Sequence, residues 1–193
     1  MARPQIFNQQ WVISKAIECF WLKGYSATSL ADLLKAMNVS RSTFYNSFGD
    51  KKQLFVLCLQ TYGQQMQQIL AMTLLNESLH KNSSALEVIR QFLTIVLLAA
   101  DKELSARGCL LVNTIAESAK ADEELNRLAA NLMQPIKLGL IHQLNREFTE
   151  DISAQYGEWL FTQLLGWRMQ CQMGLDNKTL EQQIKWSLLQ LKQ

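Results

Sequence analysis

Apolar residues recur along most of the chain at the spacing of an α-helix. One such apolar face consists of Leu30, Leu33, Leu34 and Met37, at positions i, i+3, i+4 and i+7. An earlier face is formed by Ile13, Ala16, Ile17 and Phe20, and Gly24 marks the end of that helix. No stretch shows the Val, Ile and Thr alternation of a strand, so the pattern predicts an all-α protein.

Start and stop signals divide the chain into about nine helices, of which the first three lie before residue 50. Asp50 and Gln53 have the spacing of an N-terminal cap, which predicts a long helix from about Lys51 to Leu79. The remaining helices are predicted at about residues 85–100, 109–119, 122–147, 151–173 and 178–191. Pro135 predicts a kink in its helix, since proline removes a backbone hydrogen bond.

The second and third of these helices predict a surface that contacts a partner. Ser29 and Asp32 have capping-box spacing, and Ser40 can cap the next short helix, whose Phe44 would point to the core. The side chains left facing outward are Arg41, Ser42, Thr43, Tyr45 and Asn46. Guanidinium, hydroxyl and amide groups hydrogen-bond to phosphates and base edges, so this helix is predicted to contact nucleic acid.

The same segment resembles the DNA-binding domain of TetR-type transcriptional repressors over roughly residues 8–60. The matching residues are Gly24-Tyr25, Thr28-Ser29-Leu30, Val39-Ser40-Arg41, Ser42-Thr43-Phe44-Tyr45, Phe48 and Lys51. Asn38 stands where the family often has Gly, but Asn enters the left-handed backbone region at modest cost. The resemblance implies a helix-turn-helix DNA-binding domain over residues 1–50 and a helical effector-binding and dimerisation domain over residues 51–193.

The resemblance also implies a function and a set of DNA contacts. The protein would be a homodimeric repressor of double-stranded operator DNA that a small-molecule effector releases. The residues implied to contact the phosphate backbone are Thr28, Tyr45, Ser47 and Lys51. Those implied to read bases or methyl groups are Arg41, Ser42, Thr43 and Asn46, and Ser29 and Ser40 complete the set at the helix starts.

The charge of the chain is unevenly distributed. Residues 1–52 hold seven Lys and Arg against three Asp and Glu, whereas the remainder holds twelve against fourteen. A basic end on a nearly neutral protein is typical of a DNA-binding domain, although a solvated basic surface would look the same. A helical module that binds another protein is the alternative, and steep weakening of binding by salt would favour DNA.

The last two predicted helices carry more apolar residues than one buried face requires. Both faces could lie in the core of one monomer, or one face could form a two-fold symmetric four-helix interface. The resemblance implies the homodimer. The predicted interface residues are Tyr156, Trp159, Leu160, Trp167, Leu180, Ile184 and Leu188.

A ligand pocket is predicted in the C-terminal domain. The stretch from Gly108 to Glu117 places Asn113, Thr114 and Glu117 among apolar neighbours, and buried polar groups need partners. Either a ligand or the protein itself, through neighbouring backbone or Arg107, supplies them. This stretch also looks like one that borders the effector cavity in a TetR-type subgroup. The candidate lining residues are Met66, Leu70, Phe92, Val96, Cys109, Val112, Asn113, Met133 and Trp167.

Cys109 has two interpretations. Its position just before a helix, at the positive end of the helix dipole, would suit a reactive sensor of oxidants or electrophiles, as in some TetR-type regulators. Alternatively, it is a small apolar residue that fills the core. The four cysteines are far apart in sequence and show no metal-ligand spacing.

Other classes of function find little support. His80 and His142 belong to no metal-ligand or nucleophile–base pattern, and no glycine loop suits a phosphate, so neither an enzyme nor a cofactor is predicted. The N-terminal residues lack the apolar stretch of a signal peptide, and the apolar run at residues 92–100 is too short to span a bilayer. We therefore expect a reduced, cytoplasmic protein without a membrane partner.

Overall fold

The computed structural model describes residues 8–98 and 107–191. Within these ranges the chain forms ten helices, one of them a single turn, and no strand. Their bounds are α1 Gln9–Lys23, α2 Leu30–Met37, α3 Arg41–Phe48, α4 Lys51–Met72, α5 Glu77–His80, α6 Ala85–Leu98, α7 Leu110–Ser118, α8 Glu123–Leu144, α9 Glu150–Gln172 and α10 Asn177–Gln190. The all-α prediction is confirmed, and each of the nine predicted helices has a counterpart; the last two residues predicted for α6 lie outside the described ranges.

We call residues 8–58 the head and the described residues from 59 onward the body. In the head, α1 packs against α2 and against the start of α4. Phe20, Leu33, Phe44 and Phe55 meet there with at most 1% of their surface exposed. Burial of several aromatic rings stabilises the packing of these helices.

The end of α4 differs from the prediction. The helix ends at Met72 rather than Leu79, because the N–H groups of Thr73 and Leu75 both bond back to the carbonyl of Leu70. This turn directs Leu74 into the core, where it is fully buried. The apolar pattern continues through the turn, so periodicity alone gave no stop signal.

In the body, α8 packs against α4, α6, α7 and α9, and α10 lies on α6. Helix α8 is continuous from Glu123 to Leu144, with Pro135 inside it. Buried side chains of head and body belong to one continuous apolar cluster. Across the described ranges, no helix has the length and apolar character needed to cross a membrane.

Candidate nucleic-acid interface

Side-chain caps set the geometry of the α2–α3 pair. The Ser29 hydroxyl accepts a hydrogen bond from the Asp32 N–H at 3.1 Å, while the Asp32 carboxylate accepts the Ser29 N–H at 3.0 Å, which confirms the predicted capping box. Asn38 adopts φ 50° and ψ 47°, the left-handed conformation expected of the turn. The Ser40 hydroxyl then accepts the Thr43 N–H at 3.1 Å and begins α3.

Helix α3 presents a polar face to solvent. Phe44 and Phe48 anchor it in the core of the head. Thr43 is half-buried, and its hydroxyl lies 2.9 Å from that of Ser40. The exposed residues of α3 are Arg41, Ser42, Tyr45, Asn46 and Ser47. This arrangement leaves most of the predicted base-reading and phosphate-binding groups available to a ligand.

Thr28 does not fit its predicted role. Its side chain has no exposed surface, and its hydroxyl donates to the carbonyl of Gly24 at 2.5 Å. A buried hydroxyl cannot contact a phosphate, so the prediction of a side-chain contact by Thr28 is wrong. Ser29 is exposed, but its hydroxyl is already bonded to Asp32.

The ammonium group of Lys51 also forms hydrogen bonds within the head. It donates to the carbonyls of Tyr25 and Thr28, both at 2.9 Å, and lies 4.5 Å from the centre of the Tyr25 ring. A lysine has three N–H donors, so one at most remains for a phosphate. Lys51 therefore ties the start of α4 to the loop between α1 and α2.

Several other cations of the head are paired with carboxylates. Lys23 binds Asp32 at 2.6 Å, and its hydrogen bond holds the pKa of that carboxyl well below its usual range. Lys15 pairs with Glu18 at 2.8 Å, and Lys52 binds Asp122 and Glu124 of the body, each at 2.8 Å. Among the described residues of the head, Lys35, Arg41 and Lys51 have no carboxylate partner, and of these three Lys51 is bonded to backbone carbonyls instead. The sequence reasoning did not name Lys35, which is exposed on α2.

The carbonyl of Arg107 joins the head to two helices of the body. It accepts the indole N–H of Trp21 at 3.2 Å, the amide of Asn113 at 2.9 Å and the amide of Gln172 at 3.2 Å. Asn113 is thus satisfied by neighbouring backbone, one of the two interpretations offered from the sequence. Its side chain is directed to this junction and lines an open cleft between head and body, separate from the cavity that Cys109 and Val112 line.

Glu117 reaches the head in the same region. Its carboxylate accepts the backbone N–H of Tyr25 at 2.9 Å and that of Ser26 at 2.6 Å. Partial burial raises the pKa of Glu117, but these hydrogen bonds and the charge of Lys51 outweigh it, so the pKa lies below its ordinary value. An open cleft of about 490 Å³ beside this contact separates part of the head from the body.

A small cavity lies deeper in the body. Its volume is about 20 Å³, enough for one water molecule. The predicted residues that line it are Met66, Phe92, Val96, Cys109, Val112 and Met133. Leu70 and Trp167 are buried elsewhere in the core, so their predicted place in the lining is wrong. The lining residues missed from the sequence are Ile136, Leu164, Leu165 and Arg168.

Cys109 is buried in this cavity wall at the residue before α7. The hydroxyl of Tyr62 donates to its sulfur at 3.7 Å. Burial raises the pKa of Tyr62 and also those of Cys58, Cys171 and Cys19. Burial thus disfavours the reactive thiolate form of these three other cysteines.

The head carries a recognisable sequence signature as well as this geometry. The sequence profile of bacterial regulatory proteins, tetR family, matches residues 12–58. Residues 12–58 therefore form a DNA-binding domain of the tetR family. It is a DNA-binding transcriptional regulator with the TetR-family fold.

Relatives and solved structures agree with this assignment. The HTH-type transcriptional regulator YezE of Bacillus subtilis is 28% identical over 146 residues, which cover 76% of this chain and 73% of YezE. The HTH-type transcriptional repressor ComR of Escherichia coli is 42% identical over 60 residues, 31% of this chain and 29% of ComR. A cysteine-substituted TetR-family regulator, CifR, solved with a 26-bp operator duplex, is 21% identical, with a TM-score of 0.77 over 97% of this chain and 98% of that one.

A further solved structure of similar fold was determined in a reduced form. Reduced Escherichia coli NemR matches with a TM-score of 0.77 and 19% identity, over 95% of this chain and 94% of NemR. At this level of identity the likeness shows the fold.

The apolar surface of the body differs from the predicted interface. Leu160, Trp167, Leu180, Ile184 and Leu188 have at most 5% of their surface exposed in the monomer, because α9 packs against α8 and α10 packs against α6. The prediction that these five form a dimer interface is therefore wrong. Tyr156 and Trp159 are half-buried. The large apolar side chains exposed on the two helices are Ile152, Met169, Met173, Trp186 and Leu189.

Proposed function

We propose that this regulator is a dimeric repressor that binds operator DNA through α3 and dissociates when a small molecule enters the body. The observation that carries the proposal is the polar face of α3, whose side chains are exposed and largely unused by the fold. The similarity of the chain to ComR, which is named a repressor, supports repression rather than activation. Such a protein would act in the cytoplasm, where the chromosome lies.

Each residue of the face has a proposed role. Arg41, Ser42, Thr43 and Asn46 read base edges or methyl groups, whereas Tyr45 and Ser47 bind phosphates. We add Lys35 as a phosphate contact, because its ammonium group is exposed and unpaired among the described residues. Ser29 and Ser40 contribute by capping the helices that hold the face.

The DNA-binding proposal is tested by selecting preferred sites from random duplexes and measuring affinity across salt concentrations. A dimer should select two related half-sites about 34–36 Å or somewhat more apart, and the logarithm of affinity should fall linearly with that of salt. Loss of all sequence preference would contradict the proposal. The alternative of a protein-docking module is set aside, because the head belongs to a family of DNA-binding regulators.

The control of DNA binding has a second candidate. Cys109 is the thiol in the cavity wall, so modification by an electrophile would also alter the body. Cys109→Ser should then retain operator binding but abolish release by a thiol-modifying reagent. If the effector is reversible and apolar, Cys109→Ser should leave release intact, and Val112→Phe should block it by filling the cavity. We favour the reversible ligand.

A further inference from the structure

The first inference concerns the loop between α1 and α2. Two consecutive backbone N–H groups of this loop, those of Tyr25 and Ser26, point at the two oxygens of Glu117 from α7. A Cβ atom added at Gly24, whose φ is +80°, would lie 3.1 Å from one of these oxygens. The absence of a side chain at Gly24 therefore allows the carboxylate to approach the loop so closely.

The other side of the loop is bound to the start of α4. Lys51 donates to the carbonyls of Tyr25 and Thr28, so a cation holds the carbonyls while an anion holds the N–H groups. Thr28 directly precedes the capping serine of α2, which leads through Asn38 into α3. The position of this loop therefore sets the position of the recognition helix relative to the body.

Helix α7 connects this contact with the cavity. Cys109 and Val112 at its start line the cavity, and Glu117 lies in its last turn. An α-helix of nine residues is stiff and about 13 Å long, so a shift at its start is carried to its end. The contact with Glu117 thus lies where a change in the body would reach the head.

We propose that Glu117 is a positioning residue through which the body fixes the head in its operator-binding arrangement. This proposal rests on the proposed function of the chain as an operator-binding repressor. Loss of the two hydrogen bonds leaves α3 chemically intact but less well placed, so operator affinity falls while nonspecific, salt-dependent binding is retained. Coupling energies between sites typically correspond to roughly 5–150-fold in affinity, and we expect Glu117→Ala to fall in this range.

The experiment compares Glu117→Ala and Glu117→Gln with Glu87→Gln, which removes the same charge from an exposed position on α6. Operator affinity, nonspecific DNA affinity and amide hydrogen exchange of Tyr25 and Ser26 are measured on the full chain. Glu117→Ala should weaken operator binding and accelerate exchange at both amides, with Glu117→Gln intermediate and Glu87→Gln unchanged.

Two outcomes would overturn the role of Glu117. One is unchanged operator affinity in Glu117→Ala; the other is an equal loss for operator and nonspecific DNA, which would indicate general unfolding. Both leave the proposed function standing if the unmodified protein binds a specific site. Failure of the unmodified protein to bind any specific site would instead refute the proposed function.

A second, independent observation concerns the charge of the cavity. Arg168 is the one charged side chain among its described lining residues; the others are apolar apart from the Cys109 thiol. The guanidinium of Arg168 makes no hydrogen bond or ion pair with any described residue. Its positive charge also acts on Tyr62, where it opposes the larger effect of burial on the pKa of the phenol. An apolar cavity with one uncompensated cation favours an anion.

Tyr62 lies next to the cavity without lining it, because its hydroxyl donates to the sulfur of Cys109 in the wall. Arg168 is therefore the polar group on which the recognition of a ligand depends. We infer that the effector is an apolar anion, a hydrocarbon body with a carboxylate that pairs with Arg168. Met66 and Met133 line the cavity, and their flexible side chains can move aside to admit it. This inference rests on the proposed control by a ligand in the body.

Decanoate and decanol are matched probes, because they share a chain length and differ in charge. Binding of each is measured by calorimetry and by operator release, in the unmodified protein, in Arg168→Met and in the charge-retaining control Arg168→Lys. Decanoate should bind at least about tenfold more tightly than decanol, and Arg168→Met should abolish the difference while Arg168→Lys retains most of it.

Equal binding of the two probes would overturn the anion preference but leave a ligand site in the body. Binding of neither probe would overturn the inferred effector class. A preference for decanoate that survives in Arg168→Met would place the anion elsewhere and also refute the assignment. Operator binding in the absence of a probe reports separately on the DNA-binding function.

Discussion

At the scale of single residues, Lys51 shows that a cation beside a DNA-binding face can stabilise the folded structure instead of contacting DNA. Its ammonium group donates to two carbonyls of the head and lies over the Tyr25 ring. Arg41, by contrast, is exposed and has no acidic partner among the described residues. The two side chains should therefore respond differently to removal, although both belong to the same basic segment.

We expect Lys51→Ala to lower the free energy of unfolding by about 1–3 kcal/mol, because hydrogen bonds to a charged group are lost. Arg41→Ala should leave the free energy of unfolding nearly unchanged. If Arg41 contacts a phosphate, the slope of operator affinity against salt should fall by about one; if it contacts a base, the base preference should change. Urea unfolding and salt titrations of DNA binding measure the two effects. A reduced salt slope with unchanged unfolding in Lys51→Ala would show that Lys51 binds phosphate after all.

At the scale of helices, the sequence predicted features that depend on residues close together in the chain. It did not predict features that depend on tertiary packing. Ser29, Asp32 and Ser40 predicted their caps because a cap depends on residues three positions apart. The stop of α4 at Met72 depends instead on a place in the core for Leu74, which no local pattern encodes. The sequence also could not tell which apolar face of α10 is covered by α6, so Leu180 and Ile184 were assigned to the wrong surface.

The cavity lining was predicted in part for the same reason. Cys109 and Val112 were named because their segment combines apolar and polar residues, and they do line the cavity. Asn113 lies on the same helix but is directed to the carbonyl of Arg107. Arg168 was missed, because its place beside the cavity depends on how α9 packs in the body.

The start of α7 offers a test of the junction between helices. Gly108 has φ +70°, and a Cβ atom there would collide with the side-chain amide of Gln172. Gly108→Ala should therefore destabilise the protein by more than the ~1–2 kcal/mol expected of the backbone conformation alone. Gly174→Ala is the control, because φ is +92° there but no atom lies within 4 Å of the added carbon. Equal losses in thermal unfolding would show that the contact with Gln172 is unimportant.

At the scale of the whole molecule, carboxylates join the head to the body. The hydrogen bond and charge of Lys52 lower the pKa of Asp122, and the pKa of Glu117 is lowered by its bonds to the head loop. A carboxyl whose pKa is lower in the folded state stabilises the fold above its ordinary pKa, and this contribution is lost as pH falls.

We therefore expect the unfolding temperature to be nearly constant from about pH 8 to about pH 6 and to fall between about pH 5 and about pH 3. Lys52→Met removes the partner of Asp122, so its unfolding temperature should be lower at neutral pH and should depend less on acid. Calorimetric scans at several pH values measure both. An identical acid dependence in Lys52→Met would show that this ion pair contributes nothing to the stability of the molecule.

Assembly is the last property of the whole molecule that the surface predicts. Met169, Met173, Trp186 and Leu189 are exposed on, or directly after, the consecutive helices α9 and α10. Burial of such large apolar side chains between two subunits would favour a dimer. Trp186→Glu would bury an unpaired charge in a symmetric interface, so it should yield monomers in sedimentation experiments at micromolar concentration. Met72→Glu is a matched control, because Met72 and Trp186 are both 63% exposed but Met72 lies at the end of α4. A Trp186→Glu protein that remains dimeric would place the interface elsewhere, and a monomeric unmodified protein would contradict the dimer itself.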